Sequence, residues 1–186
     1  MRVIGGKAKG TNLKSPAGID IRPTSDRVRE AIFSSVQRYI ADAVVLDLFA
    51  GAGTLGIEAL SRYANQVYFV DHSQKHIELI KENLIKTQLL QQAVLICSDA
   101  GRAIQKLSDQ KIKVDVVFMD PPYEKDLIHK TLEKVGKMEI LSPGGVVVVE
   151  CSKNDALPER VYDLCQTVVK AYGSTRVAYY RRREDE

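Results

Sequence analysis

The sequence predicts an α/β protein built on a mostly parallel sheet that ends in an antiparallel hairpin. From residue 43 onward, short apolar runs alternate with segments of helical periodicity, the pattern of strand–helix–strand units with helices on both faces of a parallel sheet. Near the end, two runs rich in β-branched residues, alanine and tyrosine are separated by only three residues, so they are expected to pair as a hairpin. Five parallel strands and two hairpin strands give a seven-stranded sheet.

Hydrophobic periodicity locates the elements of this main domain. The parallel strands are predicted at residues 44–48, 66–70, 94–97, 114–119 and 146–151, the last one after a turn at Pro143, Gly144 and Gly145. Helices are predicted at residues 54–62, 73–87, 101–107 and 127–137. The hairpin strands are predicted at residues 166–171 and 175–180.

The composition is that of an ordinary soluble protein. Of 186 residues, 27% are charged and 45% hydrophobic, which suits one well-buried domain. No apolar run reaches the roughly 18 residues of a membrane span, and the first residues lack the apolar core of a signal peptide. We therefore expect a cytoplasmic protein, and a monomer.

No metal site is predicted. Cys97, Cys151 and Cys165 show no C-x-x-C spacing and are expected to be reduced thiols. His72 and His76 stand four residues apart, the spacing of a metal-binding pair on a helix, but no third ligand stands beside them.

The first 40 residues are expected to form a basic extension of the main domain, which covers residues 41–186. Residues 1–38 hold eight Lys and Arg against three acids, a net charge of +5 in a chain whose total is +3. A glycine-rich turn between two strand-like segments carries Lys7 and Lys9. Such an arm suits a polyanion such as nucleic acid, although a basic terminus can also be merely solvated.

A helix is predicted to follow this arm. Thr24 or Ser25 can cap its N-terminus, and apolar residues then recur every four positions at Val28, Ile32 and Val36. This stripe would pack on the main domain and leave Arg27, Arg29 and Arg38 towards other faces.

The segment Val-Asp-Val-Val-Phe-Met-Asp-Pro-Pro-Tyr, residues 114–123, begins as a buried strand and ends in a stiff loop. Pro121 and Pro122 lack an N–H group, and Pro121 biases Asp120 towards extended geometry. The loop follows the carboxyl end of a strand, where open α/β sheets bind their ligands. It offers a carboxylate, backbone carbonyls and the ring of Tyr123, a set that can accept hydrogen bonds from an amino group and stack on a flat base. The plainer interpretation is a strand that ends in a proline turn.

A glycine-rich loop follows the first strand. Gly51, Gly53 and Gly56 match G-x-G-x-x-G, the dinucleotide fingerprint, and glycine lets the backbone approach a ligand closely. Asp47 stands just before the loop, however. An anion is a poor neighbour for phosphates and a good one for a cationic amino group or a sulfonium.

Aspartates also follow the next two strands. Asp71 ends the second strand, where an acid can accept hydrogen bonds from both ribose hydroxyls of a nucleoside. Asp99 follows the third strand and could accept from an adenine amine. Either residue could instead cap a helix. Taken together with Asp47 and Asp120, they favour a ligand crevice at the carboxyl edge of the sheet.

This order of motifs resembles the class I, Rossmann-like methyltransferases, whose last strand is antiparallel and whose methyl donor is S-adenosylmethionine. Asp-Pro-Pro-Tyr at residues 120–123 is similar to the [D/N]-P-P-[Y/F] signature of exocyclic amine methylation. Three N-terminal segments, RVIGGK at 2–7, RPT at 22–24 and RVREAIF at 27–33, resemble the bacterial RsmD family. That family methylates N2 of one guanine in 16S ribosomal RNA, and the resemblance covers nearly the whole chain.

The resemblance implies roles for named residues. Asp120 and the Pro121 carbonyl would accept the amine N–H groups, and Tyr123 would stack on the base beside Pro122. The expected cofactor-binding residues are Asp47, Phe49, Ala50, Gly51, Gly53, Asp71, His72, Asp99, Ala100 and Asp120. The expected RNA-binding residues are Lys7, Lys9, Arg22, Arg27 and Arg29, although Arg22 and Thr24 could instead contact the methionine tail of the cofactor.

Other functions stay open at this point. An NAD-dependent oxidoreductase would use the glycine loop but leaves Asp-Pro-Pro-Tyr and the hairpin unexplained. A non-catalytic RNA-binding assembly factor has no need of the aspartates. Adenine N6 in DNA or RNA, cytosine and glutamine amides also present an NH2 group, and only the family resemblance points to guanine. Free 16S RNA and a small-subunit assembly particle are equally compatible with the sequence.

Overall fold

The computed structural model describes residues 1–15, 25–122 and 126–183. The strands in these ranges are β1 (Val44–Leu48), β2 (Gln66–Asp71), β3 (Ala93–Cys97), β4 (Val114–Met119), β5 (Leu141–Ser152), β6 (Arg160–Val161), β7 (Leu164–Tyr172) and β8 (Thr175–Arg182). The α-helices are α1 (Asp26–Val36), α2 (Thr54–Ser61), α3 (Gln74–Lys86), α4 (Ala100–Asp109) and α5 (Leu127–Lys137). Among the residues described, no helix is both long and apolar enough to cross a membrane.

All strands belong to one sheet with the order β3-β2-β1-β4-β5-β8-β7-β6. The first five in this order are parallel, and β8 pairs antiparallel with both β5 and β7. The predicted parallel sheet with an antiparallel C-terminal hairpin is therefore confirmed. The predicted number of seven strands is wrong, because β6 adds an eighth strand beside β7. A strand of two residues carries no hydrophobic alternation that a sequence could reveal.

Strand β5 is longer than predicted. Its pairing with β4 begins at Leu141, and the register shifts between Val114 and Val116 before regular pairing resumes at Val146. Pro143, Gly144 and Gly145 thus form an irregularity within the strand rather than a turn before it. A proline and two glycines are tolerated in a sheet at such a bulge because they need not continue the hydrogen-bonded ladder.

Side chains alternate between two hydrophobic layers, one on each face of the sheet. In β4, Val116 and Phe118 point to the layer beneath α1, α2 and α3, whereas Val117 and Met119 point to the layer beneath α4 and α5. Tyr179 of β8 belongs to the first layer. The parallel part of the sheet is therefore covered on both faces, as its continuous apolar strands require.

The N-terminal arm packs against the C-terminal end of α2. Arm residues Val3, Ala8 and Leu13 are buried in the same layer as α1 and α2. Buried Glu58 of α2 accepts the backbone N–H groups of Ile4 and Gly5, each at 2.8 Å. The two predicted strand segments reduce to a single bridge between residues 2 and 12.

Helix α1 begins as predicted, but one of its arginines lies elsewhere. The Ser25 hydroxyl caps the helix by accepting from the Val28 N–H at 3.2 Å, while Thr24 lies outside the described residues. Arg29 was expected on a face of the helix away from the apolar stripe, where it could bind RNA, but the residue is fully buried. Its guanidinium donates to the Arg2 carbonyl at 2.8 Å and to Asp26 at 2.7 Å. Arg29 thus joins the arm to α1 and has no exposed surface for RNA.

Candidate active site

The sheet order brings four aspartates to one edge. Strands β3, β2, β1 and β4 are neighbours, so the predicted residues follow one another across the edge as Asp99, Asp71, Asp47 and Asp120. The carboxyl ends of parallel strands meet at the same side of a sheet, which is why residues distant in sequence converge here.

The loop between β1 and α2 folds back over this edge. Phe49, Gly51 and Gly53 have positive φ angles of 62°, 56° and 75°, and the Ala50 N–H donates to the Val70 carbonyl at 3.0 Å. A Cβ atom added at Gly51 would meet no atom nearer than 4.0 Å, so the space above this residue is open. The predicted close approach of a ligand to this backbone has the room that it needs.

Gly56 serves packing rather than a ligand. A Cβ atom here would lie 2.3 Å from Cε1 of Phe69, so only glycine allows α2 to sit this close to β2. The third glycine of the dinucleotide pattern is therefore accounted for by contact between helix and sheet.

Asp47 lies beneath the loop with 3% of its surface exposed. Its Oδ2 accepts the Gly56 N–H at 2.9 Å. Burial raises the pKa of this carboxyl to about 7; the Gly56 hydrogen bond opposes the rise, and the nearby charge of Asp71 adds to it. A carboxyl group whose pKa lies near 7 becomes fully ionised when a cationic ligand is placed beside it.

Asp71 is held in a fixed orientation by two backbone donors and a histidine ring. Its Oδ2 accepts the Gly51 N–H and its Oδ1 accepts the Ser73 N–H, both at 2.9 Å. Nδ1 of His76 lies 3.1 Å from Oδ1, and Nδ1 of the exposed His72 lies at 3.6 Å. Because each carboxylate oxygen has two lone pairs, Oδ2 can still accept a hydrogen bond from a ligand hydroxyl.

Asp99 caps α4, as the plainer interpretation proposed. Its Oδ1 accepts the Arg102 N–H at 2.9 Å, and Nε of Arg102 lies 3.1 Å from Oδ2. The carboxylate is nevertheless exposed at the crevice and remains available to a ligand.

A cavity of about 390 Å³ runs along this part of the edge. It is large enough for a nucleoside, given that ligand pockets typically hold roughly 300–1,000 Å³. Six of the predicted site residues line it: Phe49, Asp71, His72, Asp99, Ala100 and Pro122.

Helix α5 forms a wall of this cavity that sequence reasoning missed. Leu127, Lys130, Thr131 and Lys134 line it, and Nζ of Lys134 donates to Gln105 of α4 at 3.0 Å. Their spacing marks one face of a helix. That this face overhangs the ligand edge depends on the sheet order, which the sequence alone does not state.

Asp120 stands directly after β4 at the other end of the crevice. The residue as a whole is exposed to solvent. The protein around its carboxyl group nevertheless raises its pKa well above the ordinary value, by desolvation first and then by the charges of Glu150 and Asp47. Pro121 and Pro122 follow it, and Tyr123 lies outside the described residues.

The basic residues predicted to bind RNA divide into three groups. Lys7, Lys9 and Arg27 are exposed. Arg29 is buried, as described above, and Arg22 lies outside the described residues. The turn with the two lysines packs at the C-terminal end of α2, where the Lys7 N–H donates to the Ser61 carbonyl at 2.8 Å.

Comparison with known proteins agrees with this geometry. A family model described as "Conserved hypothetical protein 95" matches residues 1–181. The chain is 40% identical over 183 residues to "Putative rRNA methyltransferase YlbH" of Bacillus subtilis, covering 98% of this chain and 100% of that protein. It is 33% identical over 158 residues to "Ribosomal RNA small subunit methyltransferase D" of Escherichia coli, covering 85% and 78%. The chain belongs to the RsmD family of methyltransferases.

A solved structure extends the RsmD likeness to the whole fold. The structure titled "Putative methyltransferase yhhF from Escherichia coli" matches with a TM-score of 0.85 and 29% identity, covering 100% of this chain and 99% of that one. The Rossmann-like methyltransferase fold predicted from the motifs is thereby confirmed. Because these relatives are named as methyltransferases, the comparisons do not favour the oxidoreductase interpretation of the glycine loop.

Proposed function

We propose that this RsmD family member transfers the methyl group of S-adenosylmethionine to the exocyclic N2 amine of a guanine in 16S ribosomal RNA. The observation that carries the proposal is that the Asp120–Pro122 corner and the nucleoside-sized cavity share one edge of the sheet. The names of the relatives support ribosomal RNA as the substrate class. The choice of guanine N2 rests on the resemblance to the family.

The residues of the crevice fit this cofactor. Asp71 has acceptor capacity for ribose hydroxyls, and Asp99 is exposed where an adenine amine would need an acceptor. Asp47 lies below the open space at Gly51 and favours a cationic neighbour over a phosphate. When bound, the cofactor supplies a methyl group that is already activated by a positively charged sulfur.

Asp120 and the Pro121 carbonyl would position the amine. The guanine amino nitrogen is a poor nucleophile because its lone pair is delocalised into the ring. Two acceptors that bind its two N–H groups orient the lone pair away from the ring and stabilise the positive charge that grows on nitrogen. The two prolines keep these acceptors in place, because both residues have a fixed φ angle.

The raised pKa of Asp120 suits this role. A carboxylate that is desolvated and close to other negative charges becomes a stronger hydrogen-bond acceptor and a better proton acceptor than one in water. Once the methyl group is attached, the amine proton is acidic, so no stronger base is required.

The RNA must present an unpaired or extruded guanine, because the amine is otherwise occupied in a base pair. Lys7, Lys9 and Arg27 are exposed and could bind phosphates on the surrounding strand. We propose that the substrate is either free 16S RNA or a small-subunit particle, and that the protein acts as a cytoplasmic monomer.

The proposal is tested by mapping the transferred methyl group. Purified protein is incubated with S-adenosylmethionine carrying a labelled methyl group, first with naked 16S RNA and then with small-subunit particles. Nuclease digestion and mass spectrometry then identify the modified nucleoside. N2-methylguanosine at one position supports the proposal. Label on adenine or cytosine would show that this base, and not guanine, is the target. The absence of label on both substrates would overturn the proposal.

A further inference from the structure

The surface where the residues just after α1 meet the C-terminal hairpin carries three cations and a tyrosine that the proposed reaction does not use. The group, here called the hairpin patch, consists of Arg38, Tyr39, Lys170 and Arg181. Arg38 and Lys170 are exposed, and Tyr39 and Arg181 are partly exposed. It is built from three separate parts of the chain that the fold brings together.

Neutral groups hold all three cations of the patch. Arg38 donates to the Tyr39 hydroxyl, Lys170 donates to the Ser35 hydroxyl at 2.9 Å, and Arg181 donates to the Gly144 carbonyl at 3.1 Å. Within the described ranges, none of the three has a carboxylate oxygen within 4.0 Å. The residues that the structure describes therefore leave their charge without a paired carboxylate.

Aromatic rings keep these cations in place at the surface. The guanidinium carbons of Arg38 and Arg181 lie 4.7 Å and 5.4 Å from the centre of the Tyr39 ring. Nζ of Lys170 lies 5.8 Å from the centre of the Tyr179 ring. Contacts of this kind stabilise a cation without cancelling its charge, and they reduce the side-chain entropy that binding would otherwise cost.

The patch extends away from Asp120 along the hairpin. Lys170 pairs with Val177, which pairs with Glu150, so Lys170 is level with the end of β4. Tyr180 pairs with Val147, so Arg181 lies lower, about 13 Å along the strands from the level of Asp120 at roughly 3.3 Å per residue. In the sheet order β7 is three strands from β4, so Lys170 also lies about 14 Å across the strands from Asp120, at roughly 4.8 Å per strand. A single RNA strand of a few nucleotides is long enough to span these separations.

We infer that the hairpin patch binds the phosphate backbone of the RNA substrate at a distance from the active site. The inference rests on the proposed function, since it assigns an RNA contact to the same reaction. Cations that have no carboxylate partner among the described residues and that are fixed by aromatic rings match a polyanionic strand.

The test compares two variants that lose the same charge. Arg38→Gln, Lys170→Gln and Arg181→Gln are combined in one variant. The control combines Lys81→Gln, Lys86→Gln and Lys106→Gln, which are exposed lysines on α3 and α4 that also have no carboxylate partner among the described residues. Filter binding to transcribed 16S RNA is measured between about 50 and 200 mM salt. Circular dichroism and the affinity for S-adenosylhomocysteine verify the fold and the cofactor site.

The patch variant is expected to bind RNA more weakly, with the slope of log affinity against log salt reduced by about 2, at roughly 0.7 per phosphate contact on a single strand. The control should keep the wild-type slope. A variant with Arg38→Lys and Arg181→Lys keeps the charge and should retain most of the slope.

Equal losses of RNA affinity in both variants would mean that net charge alone explains the effect, and would overturn the inference. Unchanged binding of naked RNA would also overturn it; if methylation of small-subunit particles alone were lost, the patch would contact a protein of the particle. The binding measurement needs no methyl transfer. If the wild-type protein methylates no RNA, the proposed function is refuted, while the binding measurement still shows whether the patch contacts RNA.

Discussion

The Gly56 N–H donates to Oδ2 of Asp47 at 2.9 Å and joins the first turn of α2 to a carboxyl group buried in β1. This one hydrogen bond does not balance the loss of water around the carboxyl group, and the pKa of Asp47 is raised to about 7. The glycine loop therefore lies over an acid that can be neutral or charged near physiological pH. A cationic ligand group beside this acid favours the charged state.

Binding of S-adenosylhomocysteine should release a proton from Asp47 below pH 7. Its amino group selects the ionised carboxylate, whereas the free protein below about pH 7 holds the protonated form. Affinity should rise with pH up to about 7, by up to tenfold per unit, and then level off. Calorimetry in buffers of different ionisation enthalpy measures the released proton.

Two variants separate Asp47 from Asp120, whose pKa is also raised. Proton release should vanish in Asp47→Asn and persist in Asp120→Asn. The reverse pattern would assign the proton to Asp120.

The free energy of unfolding of the free protein should also depend on pH. Because folding raises the pKa of Asp47, the contribution of this residue to stability is present below pH 3.8 and is lost as pH rises through about 7.

Replacing Asp120 should strongly reduce turnover and leave cofactor binding intact. Asp120→Asn keeps the shape but replaces one carboxylate oxygen with an N–H donor, so kcat should fall by about 10²–10³, as expected when one stabilising group is removed. Asp109→Asn, at an exposed position at the end of α4, is the control and should be neutral. Methyl transfer to RNA and calorimetry with S-adenosylhomocysteine measure the two effects, and retained turnover would remove Asp120 from the chemistry.

Gly56→Ala should destabilise the protein although alanine favours helices. The new Cβ would lie 2.3 Å from Phe69, and such overpacking costs about 1–3 kcal/mol. The matched control is Gly101→Ala in α4, where the nearest atom is 3.4 Å away and alanine should stabilise by about 0.5–1 kcal/mol. Urea denaturation measures both free energies of unfolding, and a stabilised Gly56→Ala protein would contradict the close packing of α2 on β2.

Local patterns predicted the parts of this fold that depend on neighbouring residues. The bounds of β1, β4 and α5 were predicted to the residue, because each is a continuous apolar run or a clear helical stripe. The hairpin followed from the short connection around Gly173. The four aspartates could be assigned to one crevice because parallel strands end on the same side.

Contacts between distant segments explain what was missed. The sequence does not predict that Arg29 is buried, because arginine is rarely buried without partners. Its partners are the Arg2 carbonyl, from a different segment of the chain, and Asp26. The α5 wall of the cavity depends on β4 lying beside β1, which is a property of the whole sheet. The hairpin patch likewise combines residues 38 and 39 with residues 170 and 181, whose proximity no local pattern reveals.

The attachment of the N-terminal arm to α2 leads to a final prediction. Gly6 has a φ angle of +74°, and a Cβ atom added there would lie 1.8 Å from the Ser61 carbonyl oxygen. Gly10 has a similar φ angle of +86° but no atom within 4 Å of its added Cβ. Gly10→Ala should therefore cost only the strain of a left-handed residue, about 1–2 kcal/mol, whereas Gly6→Ala adds a clash with backbone that cannot rotate away. The free energy of unfolding should fall further in Gly6→Ala by at least about 1 kcal/mol. Equal losses in the two variants would mean that the arm is not held against the end of α2.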